Sequence, residues 1–124
     1  TKTFGMLSVL VQRSFVGSIR RIVSPQAFHP PPKVQSVVVR LERREREWSD
    51  AEDAALVEVT RAAFSTRRKT LRNALSGALK MSGDEAAALV EQAGLDPKIR
   101  AERLDIESFL ALGRAWLASP HRPD

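Results

Sequence analysis

The sequence predicts an α+β chain in which a helix and two strands fill residues 1–46 and a small all-α domain fills residues 47–124. Three observations carry that expectation. Two runs rich in β-branched residues flank a proline-rich segment in the first part, two Ser-x-x-Glu capping boxes follow, and a block of basic residues free of acids lies between the boxes. Phe4 to Ser14 sets Leu7, Leu10 and Val11 at helical spacing with Ser8, Gln12 and Arg13 between them, which predicts a short helix with one buried face. Val16, Ile19, Ile22 and Val23 predict a strand from Val16 to Val23. A second strand is predicted from Val34 to Leu41, where Val37, Val39 and Leu41 alternate with Val38, Arg40 and Glu42. Between them Pro25, Pro30, Pro31 and Pro32 fix φ and remove amide donors, so Ser24 to Lys33 reads as a stiff extended loop.

Ser49 with Glu52 and Ser82 with Glu85 fit the capping box, and they open helices predicted at Asp50–Phe64 and Asp84–Ala93, the second ended by Gly94. Thr66 is placed to cap a helix from Arg67 to Lys80. Asp105 is placed to cap one running to Leu117, with Phe109, Leu112, Gly113 and Trp116 inward. Asp96-Pro97 predicts a turn or the start of a short helix, and Ser119 to Asp124 reads as disordered. The candidate core of the helical domain is Leu56, Val59, Ala63, Phe64, Leu71, Leu75, Leu89, Phe109, Leu112 and Trp116. The strand pair is the weaker part, because two strands leave an edge and an apolar face to be covered.

Composition narrows the function. The absence of cysteine excludes disulfides, thiolate metal sites and a cysteine nucleophile. Twenty basic residues against fifteen acidic ones give a net charge of +5, which favours a polyanionic partner. The excess is local: from Val59 to Gly83 the charged residues are Arg61, Arg67, Arg68, Lys69, Arg72 and Lys80, with no Asp or Glu. No stretch has the length of a membrane span and the N-terminus lacks a secretory pattern, so a soluble, cytoplasmic chain is expected, without a membrane partner. His29 and His121 have no carboxylate partner at useful spacing, and no metal site is expected. Arg100, Glu102 and Arg103 read as local ion pairs.

Two segments carry candidate chemistry. In Ala27-Phe28-His29-Pro30-Pro31-Pro32-Lys33-Val34-Gln35-Ser36, an aromatic on a proline-stiffened loop costs little entropy to present to an unpaired base, and Lys33 adds a charge for a phosphate. Spacing alone leaves open that Phe28 plugs a core and the prolines turn a corner. In the basic block, helical geometry puts Leu71, Ala74, Leu75 and Ala78 on one face and Lys69, Arg72, Asn73, Ser76 and Lys80 on the other. Arg67 and Arg68 fall at the junction with the preceding helix, where guanidinium groups can grip phosphate oxygens in pairs. A merely solvated basic face is the alternative.

The first segment resembles the Phe-x-Pro-x-Pro-Lys-Val-x-Ser run of the ribosomal RNA adenine dimethyltransferases. Ala63-Phe64-Ser65-Thr66-Arg67-Arg68-Lys69-Thr70-Leu71-Arg72-Asn73-Ala74-Leu75 resembles their Ala-Phe-x-x-Arg-Arg-Lys-Thr-Leu-x-Asn-x-Leu. Gly5-Met6-Leu7-Ser8-Val9, Gly94-Leu95-Asp96-Pro97 and Arg100-Ala101-Glu102-Arg103-Leu104 are further matches, with Phe4 where the family usually has tyrosine. The resemblance implies the last strands of a class I, Rossmann-like methyltransferase sheet followed by a helical RNA-binding domain. It also implies an enzyme that moves methyl groups from S-adenosylmethionine to adenines of small-subunit ribosomal RNA within a pre-ribosomal particle. Phe28 would then stack on the flipped adenine, while Lys33, Arg67, Arg68, Lys69, Arg72 and Asn73 would hold RNA.

The family's glycine-rich cofactor turn and its Asn-Leu-Pro-Tyr type motif have no counterpart among these residues. The expectation is therefore a C-terminal portion whose cofactor site lies upstream of Thr1, and which is inactive alone. The alternative is a non-enzymatic RNA- or DNA-binding module of the mitochondrial transcription factor type. The macrolide-resistance branch shares the Phe28 pattern but usually lacks the later segments.

Overall fold

A computed structural model describes residues 2–23, 36–66 and 68–123. In chain order the elements are α1 (Lys2–Gln12), β1 (Phe15–Val23), β2 (Ser36–Arg43), α2 (Asp50–Ala63), α3 (Leu71–Leu79), α4 (Gly83–Gln92), a 3₁₀ turn (Ala101–Arg103) and α5 (Ile106–Leu117). The strands form an antiparallel pair from Phe15↔Arg43 to Val23↔Ser36, with one register irregularity between Ile19 and Arg21.

Both capping boxes form. Ser49 Oγ accepts from the Glu52 amide at 3.1 Å while the Glu52 carboxylate accepts from the Ser49 amide at 3.0 Å, and Ser82 with Glu85 repeats the exchange. Asp105 caps α5 by accepting from the Ser108 amide at 2.9 Å, and Gly94 adopts φ +80° just past α4. The Asp96 carboxylate accepts from the Lys98 amide at 2.9 Å, so Asp96-Pro97 is a turn.

The core sits between α2 and α5. Leu56, Val59, Phe109, Leu112 and Trp116 meet there, with Leu71 and Leu75 of α3 and Leu89 and Val90 of α4 completing it. Every residue of the candidate core is buried. The two central helices approach closely because Gly113 has no side chain. A Cβ there would lie 2.9 Å from the Leu56 backbone. The Phe64 and Phe109 rings stack with centroids 5.8 Å apart, and Thr60 returns its buried hydroxyl to Leu56 O at 2.7 Å.

Four expectations are corrected. The helix opening the chain buries Val9 and partly buries Met6, whereas Leu7 is 55% exposed. Its position is set by Gly5, whose Cα faces the Phe64 ring (an added Cβ would lie 3.0 Å away), and that contact rotates the apolar stripe by about one residue. The third helix starts at Leu71 rather than Arg67, and its cap is Thr70, not Thr66. Arg68 has φ +63°, a left-handed conformation that no helix can pass through, so the chain reverses there first. Residues 119–123 are tied down instead of disordered, Asp124 lying outside the described residues: Arg122 Nε donates to Glu58 at 2.9 Å, and Trp116 Nε1 donates to the same oxygen at 2.8 Å. His121 does have a carboxylate partner, since its Nδ1 lies 2.8 Å from Glu85 Oε2, a pairing that only the tertiary fold brings about.

Among the described residues, one carboxylate links the ends of the strand pair to the helices. Asp53 on α2 is 7% exposed and takes a forked pair of bonds from Arg13, in the turn between α1 and β1, with Nε at 3.0 Å. Trp48 Nε1 donates to it at 3.1 Å and Arg46 lies 3.7 Å away. The Arg13 bonds hold the Asp53 carboxyl below its ordinary value of 3.8, with Trp48 and Arg46 assisting and burial opposing. A carboxyl depressed in the folded state adds stability that is present above its unfolded pKa and lost as pH falls through the folded one. Acid melting is therefore expected to lower Tm below about pH 4 more steeply in the wild type than in Asp53→Asn. Parallel acid limbs in circular dichroism melts would contradict this.

Candidate nucleic-acid interface

The basic segment between α2 and α3 forms a tight loop. Phe64 caps α2 from the core, and Arg68 in its left-handed conformation and Lys69 are both exposed. A left-handed arginine costs on the order of 1 kcal/mol, and such strained positions concentrate where a chain must present a group. Asn73, one turn into α3, is also exposed.

The amides that open α3 are already taken. Thr70 Oγ1 accepts from the Asn73 amide at 3.4 Å, Ile99 O accepts from the Leu71 amide at 2.7 Å, and Pro97 O accepts from the Arg72 amide at 3.1 Å. Phosphate binding by this helix end must therefore come from side chains. The same two main-chain bonds draw the segment 97–103 against the start of α3. Lys98 and Arg100 flank Ile99 and so lie next to the carbonyl bonded to the Leu71 amide, two residues past Lys69, and Arg103 follows on the same segment.

All three are exposed, and among the described residues none forms an ion pair, which corrects the expectation of local pairing around Glu102. Sequence reasoning missed this grouping because it depends on hydrogen bonds between segments far apart in the chain. The only available signal was Pro97, which frees a stretch of backbone carbonyls from helical pairing.

Arg72 behaves differently from its neighbours. Its Nε donates to Gly83 O at 2.9 Å and its Nη2 lies 3.5 Å from Asp84 Oδ1, although the side chain remains 44% exposed. Gly83 makes this possible, because a Cβ there would meet the guanidinium at 2.7 Å. The expectation that Arg72 simply faces water is corrected: it clasps α3 to the start of α4.

Phe28 and Lys33 lie in residues 24–35, and with Arg67 and His29 they fall outside the described residues. Val23 and Ser36, the described residues on either side of that segment, are paired in the hairpin. Ala78, expected inward, is exposed on α3, and Lys80 takes a left-handed φ of +56° as its C-cap.

The glycines do not fit a cofactor cradle. Gly5, Gly83 and Gly113 serve close contacts inside the protein, Gly94 ends a helix, Gly77 lies within α3, and Gly17 lies within β1 opposite Leu41. None forms a strand-to-helix turn where a backbone meets a ligand. Among the described residues no helix is long and apolar enough to cross a membrane, and no group of three or more His, Asp or Glu could hold a metal ion.

Hairpin, helices and exposed basic loop together define a class. The chain superposes on the 23S rRNA methyltransferase ErmE with a TM-score of 0.68 at 22% identity, covering 89% of this chain and 45% of that one. The shared fold is that of part of a class I, Rossmann-like methyltransferase. The sequence goes further: residues 1–115 match the model of the family described as Ribosomal RNA adenine dimethylase, and the chain belongs to that family. It is 41% identical over 118 residues to Ribosomal RNA small subunit methyltransferase A of Maricaulis maris, covering 95% of this chain and 41% of the relative. The protein of the same name from Rhodospirillum rubrum is 46% identical over 117 residues, covering 93% of this chain and 38% of the relative. The chain thus spans about two fifths of the length of these curated relatives.

Proposed function

We propose that this chain is the RNA-holding part of an S-adenosylmethionine-dependent enzyme that dimethylates adenines of small-subunit ribosomal RNA in a pre-ribosomal particle of the cytoplasm. The reading divides it into a catalytic-domain remnant, residues 1–46, and a helical RNA-binding domain, residues 47–124. Cofactor binding belongs to residues that this chain does not contain. Phe28 supplies one stacking face for the flipped adenine, with Lys33 beside it on the phosphate. Both named relatives are methyltransferases, which favours the enzyme over a non-enzymatic binding module.

The observation that carries the reading is a set of exposed basic residues without an ion pair among the described residues: Arg68 and Lys69 on one loop, and Lys98, Arg100 and Arg103 on the segment bonded to the start of α3. Side chains spaced along two adjoining segments suit a folded RNA backbone, which presents phosphates on a curved path rather than a line. Arg67 and Asn73 extend the same surface. Arg72 contributes through its exposed edge and by holding the helices that frame the loop.

The roles separate by substitution. Replacing Arg68 and Lys69 with glutamine is expected to weaken binding to ribosomal RNA and to flatten the slope of log affinity against log salt by about 0.7 to 0.9 per lost contact, with no change in melting. Arg72→Gln is instead expected to lower stability by about 1 kcal/mol, because the Gly83 carbonyl loses a charged donor. An unchanged salt slope for the double variant would make this loop ordinary solvated surface.

A further inference from the structure

Among the described residues, a charge cluster centred on the buried Asp53 carboxylate links the two ends of the hairpin to α2. Asp53 projects from the first turn of α2, and Arg13, which reaches it with two nitrogens, stands where α1 hands over to β1. Arg46 and Trp48, in the segment that leads from β2 into α2, close on the same carboxylate. Two contacts stiffen the surroundings: the Arg44 amide donates to Ser14 O at 2.6 Å, and the Arg44 guanidinium lies 5.9 Å from the centre of the Trp48 ring. The exit of the hairpin, its entry and the first turn of α2 are thereby held at one point.

On the proposed function, the chemistry and the RNA grip come from chain segments that this cluster ties together: Phe28 falls in sequence between β1 and β2, and the basic loop follows α2. We propose that Asp53 is a positioning residue for adenine methylation, a latch that sets the angle between the hairpin bearing Phe28 and the helices that hold RNA. A forked arginine–carboxylate pair suits that task because it fixes orientation as well as distance. RNA held by the basic surface then delivers its adenine to the hairpin within the tolerance that transfer of a group between aligned atoms requires.

Two measurements test it. The chain has no cysteine, so Glu42→Cys on β2 and Glu107→Cys on α5 place unique spin labels on the two sides of the latch. Wild type is expected to give one narrow distance, Asp53→Asn and Arg13→Gln a broad distribution, and Arg13→Lys an intermediate one, since lysine keeps the charge but loses the fork. In the protein at the length of its relatives, Asp53→Asn is expected to lower kcat at least about tenfold while the KM for ribosomal RNA changes less than about threefold. Arg13→Lys should recover part of that loss. An unchanged label distance overturns the latch. A broadened distance with unchanged kcat, or a fall in kcat matched by the loss of RNA binding, overturns its positioning role. If Asp53→Asn does not fold, Trp48→Phe, which removes one bond only, is read by the same two criteria. A wild-type protein that methylates no adenine overturns the functional reading, and the label distance alone then judges the latch.

Discussion

Phe109→Ala is expected to remove about 3 to 5 kcal/mol of stability. The ring is fully buried between α2 and α5 and stacks on Phe64, which in turn meets the missing Cβ of Gly5. Truncation therefore empties space that three elements share, and the close backbone contact at Gly113 prevents α5 from sinking into it. Domains of this size are stable by only about 5 to 15 kcal/mol, so the variant sits near the edge of folding. Phe109→Leu keeps most of the volume and should lose less than about half as much. Urea melts followed by circular dichroism measure both. A loss below about 1 kcal/mol for the alanine variant would mean that the α2–α5 interface does not depend on this ring.

Phe28→Ala is expected to lower the rate of adenine methylation about tenfold to a hundredfold in the protein at the length of its relatives, while RNA affinity changes little. Stacking a base on an aromatic ring is worth roughly 1 to 3 kcal/mol, and here that contact restrains only the flipped base. Phosphate contacts made by the basic loop are independent of it, so Kd should stay within about threefold. The melting temperature is the deciding control. If Phe28 is a core plug instead, Phe28→Ala lowers Tm along with the rate and Phe28→Leu restores both. If it stacks on the adenine, Tm is unchanged in both variants and Phe28→Leu does not restore the rate.

Much of the helical half was legible in the sequence because its signals are local. Ser49 with Glu52, Ser82 with Glu85, and Asp105 with Ser108 each exchange hydrogen bonds within one turn, so their meaning does not depend on the rest of the chain. The buried set Leu56, Val59, Phe109, Leu112 and Trp116 follows from 3.6-residue periodicity alone. Periodicity failed for α1, where the contact between Gly5 and Phe64 overrides the stripe that contains Leu7. It failed again at the start of α3, because Arg68 and Lys69 have good helical propensity and only the backbone reversal excludes them from the helix.

The candidate site divides the same way. By itself the sequence determined which cations have no acid near them along the chain and to which family the motifs belong, since each depends on residue type and spacing along the chain. Tertiary structure alone decided that Arg72 is engaged with Gly83, that Arg100 and Arg103 form no ion pair among the described residues, that the segment 97–99 bonds to the start of α3, that His121 finds Glu85, and that Asp53 gathers Arg13, Arg46 and Trp48. Partners such as Arg13 and Asp53 are remote in sequence, and no local preference encodes their meeting. It is set by how α2 packs on its neighbours, and side-chain charges then settle into whatever geometry that packing leaves them.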